Sequence, residues 1–152
     1  MNKHTPKHEL ADYDSDFHLW SQTQAALIRE GRIAEIDLEN VAEEIESLGR
    51  SDRKEIKSRL EVLLIHLLKW QFQKDKRKGG WENSMDSARQ AMNDLIAESP
   101  SLKTLPVLFL EEAYTRARRK AARETRMPIS AFPHTCPYDV KELLDEDFLP
   151  SA

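Results

Sequence analysis

Disulfides are the first thing this sequence cannot make. Cys136 is its only cysteine, so no intrachain bridge can form and no multi-thiolate zinc site can be assembled from this chain alone. A reducing compartment is the expected setting. Glycine (4) and proline (7) are sparse among 152 residues, and runs of β-branched residues are nearly absent, which speaks against strands. The longest apolar run, Val62 to Leu68, falls far short of the ~20 residues a membrane helix needs, so neither a span nor a membrane partner is expected. Met1 to Leu10 is polar and charged with no apolar stretch behind it, unlike an ordinary signal peptide, and the expected location is cytoplasmic. A dominant charge is missing too: both signs are interspersed over a charged third of the chain, with a formal net charge of −4, which is not the usual balance of a nucleic-acid binder.

What the chain does have is apolar residues at helical spacing. Its length suits one domain, which at that size hides roughly 68–70% of the surface of the unfolded chain. Phe17, Trp20, Gln24, Leu27 and Ile28 share one face of a first helix, about 15–30, with Asp14 or Ser15 as its cap and Gly31 as a left-handed stop. Asp37 caps a second, in which Leu38, Val41, Ala42, Ile45 and Leu48 form the apolar stripe and Gly49 the stop. Ser51 and Asp52 open a third that is apolar nearly all round from Val62 to Leu68 and so belongs at the centre. A fourth spans about 82–97 and ends at Ser99-Pro100; a fifth runs from Thr104, tolerating Pro106 in its first turn, to Thr125. Trp20, Trp70 and Trp81 sit on these stripes as core anchors. Asp139 and Glu142 have capping-box spacing for a last short helix, about 139–146. The expected fold is all-α, a bundle of about five helices. Residues 1–12 are read as a disordered start, 13–127 as the bundle and 128–152 as an extended tail that wraps it.

Several segments carry a family resemblance: Asn40 through Ser51 (NVAEEIESLGRS), His66-Leu67-Leu68-Lys69-Trp70-Gln71, Ser99-Pro100-Ser101-Leu102, Phe132-Pro133 through Cys136-Pro137-Tyr138, and Asp147-Phe148-Leu149-Pro150. Together with the entry from Tyr13-Asp14 to Trp20, they resemble the bacterial domain-of-unknown-function family twenty-nine. The resemblance implies a helical domain and no activity that can be carried over. The family's pattern often has glycine after the Glu124-Thr125 pair; Arg126 stands here, which puts a left-handed turn at that point in doubt.

Three constellations could carry chemistry. Glu44, sharing a helix edge with Asp37 and Asn40, and His66 on the next helix are candidates for an acid/base pair or a metal-assisted hydrolase. The Glu-x-x-His motif of a bundle metal site is absent, so no metal or cofactor is expected, and the competing reading pairs Glu44 with His66 or an arginine as a structural contact. Cys136 with His134 has the spacing of a nucleophilic pair, but no oxyanion-hole loop is recognisable, and a packed tail cysteine competes with it. Arg116, Arg119, Lys120, Arg123 and Arg126 form a cationic stripe on helix five, flanked by Arg118, and Lys69, Lys74, Lys76, Arg77 and Lys78 form a second patch around Trp70 and Phe72. Both could bind nucleic-acid phosphates, and the competing reading of the stripe pairs it with the acidic face of helix two or with Asp145-Glu146-Asp147. A complete core pattern without a complete catalytic one favours a non-enzymatic interaction or regulatory module, engaging a protein partner or its own copy.

Overall fold

A computed structural model describes residues 12–151, so all but the last residue of the expected N-terminal segment lies outside it. Among the described residues there are five α-helices and no strand: α1 (Phe17–Arg29), α2 (Leu38–Phe72), α3 (Gly79–Glu98), α4 (Leu105–Thr125) and α5 (Val140–Leu144), with short 3-10 turns between them. The expected second and third helices are one continuous helix. Gly49 lies inside it, and of the four glycines only Gly31 has a positive φ. A glycine stops a helix only where the chain turns left-handed after it; within a helix it costs about 1 kcal/mol relative to alanine and is tolerated.

The chain forms two units, Met1–Gly49 and Arg50–Ala152, with the boundary inside α2. In the first, Asp16, not Asp14 or Ser15, caps α1 by accepting from the Leu19 amide at 3.0 Å. Gly31 (φ 70°) closes α1 as expected: its amide donates to Ile28 and that of Arg32 to Leu27, the paired bonds of a Schellman stop. Trp20 and Leu27 are buried here.

In the second unit the Val62–Leu68 segment is central as expected. Leu60, Leu63, Leu64, Leu67 and Leu68 are fully buried against Met85, Ala88 and Met92 of α3 and Ala113, Ala117 and Ala121 of α4. Trp81 is buried, whereas Trp70 is only half-buried, with the Arg77 guanidinium 4.5 Å from its ring centre. Pro106 stands in the first turn of α4. Arg126 takes the left-handed conformation itself (φ 57°, ψ 27°), so the turn that the missing glycine put in doubt is made by arginine.

Residues 128–151 dock through Phe132, Tyr138 and Leu143, all buried. Tyr138 donates to Gln71 Oε1 at 2.7 Å, and Arg118 donates twice to the Phe132 carbonyl. The expected capping box opens α5, Asp139 accepting from the Glu142 amide and Glu142 from that of Asp139. Arg89, 1% exposed, closes it by donating to the carbonyls of Leu143 (3.0 Å) and Glu142 (3.3 Å), and Asn93 takes that of Leu144 (3.1 Å). A cation thus sits where a helix leaves its carbonyls unpaired and its dipole negative.

Candidate functional site

The first unit is organised around a carboxylate. Asp37 accepts from the Trp20 indole (3.1 Å), the Asn40 side chain (2.8 Å) and the Asn40 amide (3.4 Å), while its own amide donates to Gln24 Oε1 (2.7 Å). Those bonds, Asn40's foremost, hold its carboxyl below the usual range against the opposing effect of burial. Two turns on from Asp37, Glu44 accepts from the Tyr13 hydroxyl, and that bond pushes the phenol up to about 12. Tyr13, Phe17 and Trp20 form an edge-and-face cluster with ring centres 4.7 to 5.8 Å apart.

This network decides which face of α2 looks out. The ridge turned toward α1 is polar, through Asp37, Asn40 and Glu44, and the expected core stripe is therefore not core. Leu38 is 61% exposed, Ile45 65% and Leu48 71%, with Val41 half-buried between them. Periodicity identified the stripe but not its direction, because hydrogen bonds rather than apolar contact dock this segment.

The acid/base candidates are not brought together by facing helices. Glu44 and His66 lie on the same helix, and each is bonded within its own unit. Glu44's partner is a phenol, neither imidazole nor arginine. His66, half-buried, has its Nδ1 2.8 Å from the Val62 carbonyl; since a carbonyl only accepts, Nδ1 carries the proton. Among the described residues no group of three or more His, Cys, Asp or Glu is placed to hold a metal ion.

Cys136 and His134 do share a cavity of about 390 Å³, lined also by Leu110, Glu111 and Tyr114. The thiol donates to the Tyr138 carbonyl at 3.4 Å, and burial pushes its pKa up, opposite to the shift a thiolate nucleophile needs. Tyr114, raised to about 12 by burial, donates to the Pro133 carbonyl at 2.5 Å and so ties down the segment that carries both candidates.

The basic stripe is partly spent on the fold. Arg116 pairs with Glu112 at 3.1 Å, and Lys120 with the buried Glu61, a close ion contact without hydrogen-bond geometry. These partners lie on α4 itself and at the centre of α2, not among the acidic groups expected. Arg119, Arg123 and Arg126 are exposed. Arg126 meets the other basic patch: with Lys69, Lys76 and Lys78 it lines a cavity of about 320 Å³ whose wall also holds Gln73, Trp81, Glu124 and Thr125.

A family model described as domain of unknown function DUF29 matches residues 13–149, nearly the whole described chain. The chain belongs to that family. No curated protein and no solved structure matches it. Membership in DUF29 brings no activity with it, so function rests on the surfaces themselves. No helix among the described residues is long and apolar enough to cross a membrane.

Two features of this DUF29 chain escaped sequence reasoning. Arg89 is one, and its signal was readable: it falls on the Met85, Ala88, Met92 stripe of α3, where a charge must find buried partners. The outward turn of Leu38, Ile45 and Leu48 is the other, and only the Asp37 network reveals it.

Proposed function

We propose that this protein is a non-enzymatic binding module that takes a basic amphipathic helix of a partner protein along the Leu38–Leu48 seam of α2. The observation that carries this reading is the row Leu38, Val41, Ile45, Leu48, exposed at all but the half-buried Val41. Its steps of three, four and three are those of the apolar seam by which one helix packs on another. Ala42 and Gly49 beside it are small enough to let a second helix come close. Charge selects the partner: Glu39, Glu43 and Glu46 are exposed on this segment with no basic residue before Arg50, so a second copy would bring like charges together whereas a basic helix would not. The net charge of −4 acts in the same direction at long range.

Titration with a synthetic helix bearing leucines along one seam and lysines beside it tests the reading. The wild type is expected to bind, and Ile45→Asp to weaken binding by tenfold or more while keeping its circular dichroism. Burying one such side chain is worth about 1.5–3 kcal/mol, and tenfold corresponds to about 1.4. Absence of binding would contradict the proposal, as would a wild-type dimer in sedimentation that Ile45→Asp converts to monomer.

A further inference from the structure

We infer that the cavity lined by Lys69, Lys76, Lys78 and Arg126 is a binding site for a small ligand bearing phosphate or pyrophosphate. Four cations from the end of α2, the turn after it, the cap of α3 and the residue after α4 converge on about 320 Å³. Glu124 is the one carboxylate in the wall, so the lining carries a formal 4 − 1 = +3 in a chain whose net charge is −4. Like charges gathered from separate elements repel, and a bound polyanion removes that repulsion. At roughly 30 Å³ per water the space holds about ten waters, enough for a diphosphate and part of what it is attached to.

Three details shape the site. Lys69 is held in place, its ammonium 4.8 Å from the centre of the Trp81 ring and 3.2 Å from Glu124. That carboxylate is half-exposed and occupies Lys69 as an entering phosphate oxygen would. Lys78 is the cap residue of the 20-residue α3 and provides no side-chain cap bond, so the positive end of that helix borders the cavity. Arg126 occupies a left-handed position that glycine fills at least cost, which places a guanidinium at the rim at the expense of the backbone.

Calorimetric titration of the full chain with inorganic pyrophosphate at low salt is the test. Binding is expected, weakening with added salt. Lys76→Glu and Lys78→Glu, at exposed positions, should each reduce affinity about tenfold or more, and Glu124→Gln should increase it. Arg126→Gly should weaken binding yet raise the melting temperature, a combination that mere loss of structure does not produce. Arg119→Glu and Arg123→Glu, outside the cavity, should leave pyrophosphate affinity within about twofold. The inference is overturned if pyrophosphate does not bind, or if the Arg119 and Arg123 variants lose it as completely as the lysine variants, which would mark diffuse surface charge. It is also overturned if single-stranded oligonucleotide binds through Arg119 and Arg123 while pyrophosphate does not.

Discussion

Asp37 does three jobs with one carboxyl: it caps α2, anchors the Trp20 indole and orients Asn40. Replacing it with alanine removes the cap together with both side-chain bonds and should lower the melting temperature. Its pKa lies below the reference 3.8, so the stability it contributes is fully present above that value and drains away as pH falls through the lower folded value. Melts from about pH 5 to about pH 2 should show a shallower acid loss in Asp37→Asn than in the wild type, and equal slopes would show that the carboxylate is not held by its partners. Arg89 acts in the other unit. Arg89→Met keeps the apolar stem but abandons the carbonyls of Glu142 and Leu143, and should cost on the order of 3 kcal/mol in denaturant unfolding. His66→Ala should cost about 1–2 kcal/mol through its Val62 bond and packing, with the fold retained. Neither His66's bond to the Val62 carbonyl nor Glu44's phenolic partner was legible, the latter because Tyr13 is 31 residues away and nothing local announces it.

At the scale of elements, helix interiors, the Gly31 stop and the Asp139 capping box were legible, whereas the α1 cap and the continuity of α2 were not. Gly31 and Gly49 look alike in sequence, each following an apolar stripe, yet only Gly31 turns left-handed. An alanine side chain at position 49 would meet nothing within 4 Å beyond its chain neighbours and the adjoining backbone of its own helix, so Gly49→Ala should stabilise α2 by about 0.5–1 kcal/mol. A drop in melting temperature instead would mean that this point must bend. Residues 128–151 show the opposite case, since their prolines pointed to an extended path and their apolar residues to docking. Truncation after Met127 removes Phe132, Tyr138 and Leu143 from the core and should lower the melting temperature sharply. An unchanged melt would show that the segment contributes nothing to the unit it covers.

For the whole molecule, the fold class followed from composition and period because those are properties of many residues together. The candidate surfaces did not. The direction of the Leu38, Ile45, Leu48 face depends on a few long-range hydrogen bonds, and the meeting of two basic patches at one cavity depends on where helix ends fall in space. The central claim is that the protein works by binding along its outward apolar seam. Amide chemical-shift mapping during titration with the leucine-lysine helix tests it most directly, because it reports the contact surface as well as the affinity. The account predicts the largest shifts over residues 38 to 48, saturating with the peptide and absent in Ile45→Asp. Shifts centred elsewhere, or unchanged by that substitution, would contradict it.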